Sequence, residues 1–156
     1  MSSSSIDETP LSLVLPGTWR LLSRIDTTPS GAVVDDPALG SDPIALLVYD
    51  RSGNFAAQFM KRDRSGTAEV PATKAENNTQ AQGGYDAYFG TYSVDDSSGR
   101  VTQRLMASLA PANVGMELTR AMEVRGDTLT ITLETTAADG EPVTRTLTWR
   151  RLSALA

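Results

Sequence analysis

At 156 residues and 40% hydrophobic, the chain holds material for one sizeable core and too little for two ordinary domains. It contains neither cysteine nor histidine, which excludes disulfide frameworks, thiolate nucleophiles, Ser-His-Asp triads and metal sites built on imidazole or thiolate. A formal charge of −5 without a cationic stripe argues against a nucleic-acid partner, and any proton transfer falls to Asp, Glu, Tyr, Lys or water.

The first residues, Met1-Ser-Ser-Ser-Ser-Ile-Asp-Glu8, lack a basic region, and Leu11–Leu15 is too short and too late to serve as a signal peptide. The expectation is a disordered polar tail over 1–10 and a single domain over 11–156, placed in the cytoplasm. No apolar run is long enough to cross a bilayer, so no membrane partner is expected. Gly17-Thr18-Trp19 opens the first patterned segment and Trp149-Arg150-Arg151 closes the last. Such a pairing suits a barrel whose two ends meet, with Trp19 sealing the closed end and Arg151 stacked across its ring. Arg150 is the alternative if a bulge shifts the register.

From Trp19 onward the hydrophobic period is two, the mark of strands, and helical periodicity is nearly absent. Strand patterns run over 19–25, 44–49, 54–60, 85–94, 101–110, 116–124, 128–134 and 143–152. Turn signals separate them, among them Asp50-Arg-Ser-Gly53, Asp95-Asp-Ser-Ser-Gly99, Arg125-Gly-Asp127 and Ala138-Asp-Gly140. About eight antiparallel strands in up-and-down order predict an all-β closed barrel, the size that holds one small ligand and leaves no unpaired edge. The one long connection, 61–83, has room for a short helix, and reads as a lid, a crossover or a disordered loop at the mouth. Its opening run Lys61-Arg62-Asp63-Arg64 is broken by an acid and reads as a solvated flank.

Strand alternation selects candidate lining residues. Met116, Leu118, Arg120, Met122 and Val124 share one face, which makes Arg120 the odd cation among apolar neighbours. A buried guanidinium needs protein partners or an anionic or carbonyl-bearing ligand, and both remain open. Tyr88, Gly90, Tyr92 and Val94 share a second face, with Tyr85 and Asp86 at its entrance. Beside Arg120, the hydroxyl of Tyr88 or Tyr92 would stabilise negative charge developing on a carbonyl, which nominates Arg120, Tyr92 and Tyr88 as catalytic candidates. On the strand 54–60, either Gln58 and Met60 or Phe55 and Phe59 point inward. Met60, Met106, Met116 and Met122 are candidates for an adaptable apolar lining, joined by Leu118 and Gln103. Neither EF-hand spacing nor a tight acidic cluster suggests a metal, and no cofactor is expected.

Several phrases taken together resemble one family: Gly17-Thr-Trp-Arg-Leu-Leu-Ser23, Ala57-Gln-Phe-Met-Lys-Arg-Asp-Arg64, Tyr85-Asp-Ala-Tyr-Phe-Gly-Thr-Tyr-Ser-Val-Asp95, Ser108-Leu-Ala-Pro111, Val114-Gly115 and Gly126-Asp-Thr-Leu-Thr-Ile131. They are similar to the bacterial and fungal lipocalin-like domain family over about 17–151. The resemblance implies an eight-stranded calycin-type barrel with an internal cavity. Related small barrels in natural-product pathways are cofactor-free cyclases and isomerases, an analogy of fold. The chain departs from the family pattern in two places. Gln103, Arg104 and Met106 stand where members often carry histidines and a glutamate, and Ala112-Asn113 stands where Asn-Trp is usual.

These features favour a cofactor-independent cyclase or isomerase folding a polyketide-like or other apolar intermediate, because ring closure in a shaped cavity needs neither histidine nor metal. The alternative is a non-catalytic carrier or sensor of a small hydrophobic molecule. A barrel filled by its own side chains and used for interaction is a third reading. The expected partner is a small apolar ligand or substrate, and a homodimer is left open.

Overall fold

The computed structural model describes residues 9–65, 77–137 and 139–152. Residues 1–8 of the expected tail, and residues 66–76 of the long connection with its expected short helix, lie outside the described residues. Among the described residues nine strands form one sheet: β1 (Gly17–Thr27), β2 (Val33–Val34), β3 (Ile44–Tyr49), β4 (Asn54–Met60), β5 (Tyr85–Asp95), β6 (Arg100–Ser108), β7 (Glu117–Arg125), β8 (Thr128–Thr136) and β9 (Pro142–Arg151). All pair antiparallel. The order β1-β3-β4-β5-β6-β7-β8-β9 closes through β1 pairing with β9, while β2 is a two-residue extra strand on the far end of β1. The result is an eight-stranded up-and-down barrel with one added strand.

Each strand alternates because its inner side chains escape water and its outer ones meet it. On β4, Phe55, Ala57 and Phe59 are buried and Asn54 and Gln58 exposed. On β7, Leu118, Arg120 and Met122 are buried between exposed Glu117, Ala121 and Glu123. Two glycines answer to close approach. A Cβ on Gly90 would lie 1.8 Å from the Arg104 carbonyl oxygen, where a bulge shifts the β5–β6 register. Gly17, at φ +148°, leaves the space that the Arg151 guanidinium fills.

That guanidinium lies 4.2 Å from the Trp19 ring centroid. It donates to the carbonyls of Pro16 and Val14, and Trp19 Nε1 donates to the Leu15 carbonyl at 3.1 Å. The single-turn α1 (Leu11–Val14), a departure from the strand-only pattern, thus has its C-terminal carbonyls tied to the barrel floor. Ser12 ties it again through its amide and hydroxyl to the Asp96 carboxylate.

The bulge between Leu21 and Ser23 reverses alternation along β1. Trp19 faces inward before it, whereas Arg24 and Asp26 are the buried residues after it and Ile25 is exposed. Simple parity from Trp19 would have put Ile25 inside. The bulge places two charged side chains in the barrel instead.

Candidate functional site

The barrel opens at the end where β1 finishes and β5 begins, and encloses a cavity of about 150 Å³. Its lower wall is apolar, formed by Leu47, Phe59, Ile131, Leu133, Leu147 and Trp149, and its upper wall carries Arg24, Asp26, Asp36, Asp86, Tyr88, Arg120 and Arg145. The apolar body and polar crown together are the arrangement of a small-molecule site.

Strand β9 delivers Arg145 and strand β1 delivers Asp26, and the two meet in a fork: Nε to Oδ1 at 2.7 Å and Nη2 to Oδ2 at 2.9 Å. Arg24 reaches Asp36, on the loop after β2, at 2.7 Å, and Arg145 lies 3.6 Å from the same carboxylate. Burial alone would raise Asp36, yet the Arg24 and Arg145 charges hold its carboxyl below the ordinary value. Arg145 is likewise kept firmly cationic against its burial by Asp26. Arg24 is pushed down by its own burial and by the Arg145 charge. The four groups form a self-compensating network across the β1–β9 seam.

Arg120 sits apart from it on β7. Its Nη1 donates to the Asn77 carbonyl at 2.9 Å, to Asn77 Oδ1 at 3.2 Å and to the Thr119 carbonyl at 3.2 Å. Asn77, in the left-handed region at φ 59°, also exchanges hydrogen bonds with the Thr119 backbone through its side-chain amide. The described end of the long connection is thereby clipped onto β7. No carboxylate pairs with Arg120 among the described residues, and burial pushes its guanidinium down.

Asp86 is the other singular group. It is 3% exposed, and it shares the inward face of β5 with Tyr88. Its Oδ2 accepts from the Thr79 hydroxyl at 2.5 Å, while Oδ1 has no hydrogen-bond partner among the described residues. Burial raises its carboxyl to about 6 against the Thr79 hydrogen bond. Tyr88, buried beside the Asp86 charge, is pushed to about 12, with Arg120 and Arg24 pulling the other way. Tyr49 is raised further by burial, and its hydroxyl accepts from Gln103 Nε2 and points to Met122 Sδ at 3.9 Å.

Among the residues nominated from sequence, Arg120, Tyr88, Gln103 and Phe59 line the cavity. Tyr92 does not, because its strand has descended to the closed end, where the hydroxyl donates to the Asp50 carbonyl at 2.6 Å. Gln58 and Met60 belong to the outer face, since the phenylalanines take the inner one, and Gln58 accepts from the Tyr85 hydroxyl. Phe55 is inward but packs below the cavity, its ring 6.0 Å from those of both Tyr49 and Tyr88. Leu118 and Met122 are core, Met116 packs half-buried against that core, and Met106 is 62% exposed on the outer wall of β6. Trp19 and Arg151 form the floor. The reading missed Arg24 and Asp26 behind the β1 bulge, and Asp36 on a loop without periodicity. Asp86 was visible from its parity with Tyr88, and Arg145 from its place between buried Val143 and Leu147.

A comparison with known families matches residues 16–152 to the one described as a lipocalin-like domain. The chain belongs to the lipocalin-like domain family. Its barrel is of the type that supports binding of a small molecule, and the cavity described above lies within the matched span. Among solved structures, the chain is similar to the crystal structure of Rv2717c from M. tuberculosis, at 14% identity and a TM-score of 0.35 over 96% of each chain. No curated protein matches it. No helix among the described residues is long and apolar enough to cross a membrane.

Proposed function

We propose that this lipocalin-like barrel is a cofactor-independent isomerase or cyclase acting on a small, largely apolar, carbonyl-bearing intermediate of natural-product type. Asp86 moves the proton, and Tyr88 and Arg120 hold the carbonyl oxygen. The observation that carries the reading is Asp86 itself, a buried carboxyl at the cavity with one oxygen unpartnered and its proton affinity raised to about 6. A base of that strength titrates near the pH at which it would work.

Asp86 takes a proton from the carbon next to the carbonyl. The electron pair of that C–H bond moves into an enolate, whose oxygen receives hydrogen bonds from Tyr88 and Arg120. The enolate carbon then closes a ring on a second carbonyl carbon of the same molecule, whose C=O π pair moves onto its oxygen and takes the proton back from Asp86, or another carbon of the enolate takes that proton instead. The apolar wall holds the chain folded so that the reacting carbons stay close. In isomerisation the proton returns and nothing is oxidised or reduced.

The test is hydrogen exchange at the carbon between the carbonyls of alkyl β-diketones in deuterium oxide, followed by proton NMR. Wild-type protein is expected to accelerate it, and Asp86→Asn to abolish the acceleration while still binding the diketone. Binding without acceleration by wild type would remove the catalytic reading. It would favour a non-catalytic carrier, the second reading, to which one observation already lends support. The Tyr49–Gln103 pair and the Arg24, Asp26, Asp36 and Arg145 network are satisfied by protein groups, so most of the polar crown is committed to structure.

A further inference from the structure

Apart from the exposed Asp35, the charged groups lining the cavity match in number but do not pair one to one. Three guanidiniums, Arg24, Arg120 and Arg145, line it. Asp26 and Asp36 are both taken up in ion pairs with Arg24 and Arg145. That leaves Arg120 and Asp86, which line the same cavity and do not pair with each other among the described residues. Asp35 also reaches the lining but is exposed on the rim, where water screens it. A guanidinium that is 6% exposed and unmatched by a carboxylate is costly to maintain unless something anionic completes it.

The donors of Arg120 are placed to receive such a group. Its hydrogen bonds among the described residues all run from Nη1, toward Asn77 and Thr119. Among the described residues the N–H groups on Nε and Nη2 have no hydrogen-bond partner, on a side chain that lines the cavity. Tyr88 lines the same cavity and lies within electrostatic reach of Asp86, Arg120 and Arg24. Arg24, by contrast, is engaged with Asp36 through Nη1.

We infer that the molecule this cavity takes carries a carboxylate, seated against Arg120 beside Tyr88, with its apolar chain running down onto Phe59, Leu147 and Trp149. The inference rests on the cavity being a ligand site, and narrows the substrate of the proposed reaction to apolar carboxylic acids, a keto acid where the carbonyl chemistry applies.

The experiment compares a carboxylate with its uncharged ester on the wild-type chain: decanoate against methyl decanoate, read by calorimetry and by Trp149 fluorescence. Decanoate is expected to bind about tenfold tighter or more, the usual worth of a charge-assisted hydrogen bond out of water. Arg120→Gln is expected to erase the preference, bringing the affinities for acid and ester together. Equal affinity for acid and ester, or no binding of the acid at several chain lengths, would overturn the inference, and neither result depends on the variant folding. The two readings separate cleanly. A preference for the acid without diketone exchange leaves this inference standing and removes catalysis, whereas exchange with no preference for the acid does the reverse.

Discussion

Asp86 combines two properties that seldom coexist in a carboxyl kept only for structure: it is buried, and one of its oxygens has no partner among the described residues. The raised proton affinity has a consequence for stability. The folded protein holds the Asp86 proton up to about pH 6, whereas the unfolded chain releases it near 3.8. Between those values the native state binds more protons, so stability falls as pH rises, by at most about 1.4 kcal/mol per pH unit from this group. Asp86→Asn should therefore gain thermal stability relative to wild type as pH rises from about 4 to 6, with the difference constant above that window. Thermal unfolding of both proteins across the window checks it, and parallel curves would count against the buried carboxyl. Asp36, whose carboxyl is held below its ordinary value, titrates on the acid side and leaves the window clear.

At the scale of elements, the seam between β1 and β9 governs both closure and chemistry. Removing one member of a buried forked pair strands the other charge, so Asp26→Asn or Arg145→Met alone should cost about 3–5 kcal/mol in denaturant unfolding. The double variant Asp26→Leu with Arg145→Met should cost clearly less than the two single changes added together, and strict additivity would show that the pair acts as two independent groups. Gly90→Ala tests the second bulge. The Arg104 carbonyl at 1.8 Å leaves no space for the methyl, and a loss of about 2 kcal/mol or more is expected. These elements also explain how much could be read in advance. The limits of β3 and β4 follow from apolar alternation between clear turns, and the inward place of Arg120 follows from parity along an unbroken strand. Arg24 and Asp26 were illegible because a one-residue bulge inverts parity, and nothing in Leu21-Leu-Ser23 announces it. Tyr92 misled because a strand of 11 residues spans the whole barrel height, so two tyrosines on one face sit at opposite ends. Parity gives the face and says nothing of the depth.

For the whole molecule, closure fixes a floor and a mouth with different tasks. The floor, where Arg151 crosses Trp19 and ties down Pro16 and Val14, is committed to structure. Gly17→Ala should push Arg151 off the ring and lower Tm, while ligand affinity at the far end changes little. A large loss of affinity without loss of Tm would mean that floor and mouth are coupled. The mouth gathers residues from β1, β5, β7, β9 and two connections, so its chemistry is a product of topology and of no single motif. The most direct measurement is the side-chain carboxyl carbon-13 shift of Asp86 followed against pH, in the free protein and with an alkyl β-diketone or decanoate added. A midpoint near 6 in the free protein, displaced when ligand enters, is the predicted result. A midpoint at the ordinary carboxylate value of about 4, unmoved by either ligand, would contradict a ligand site built around Asp86.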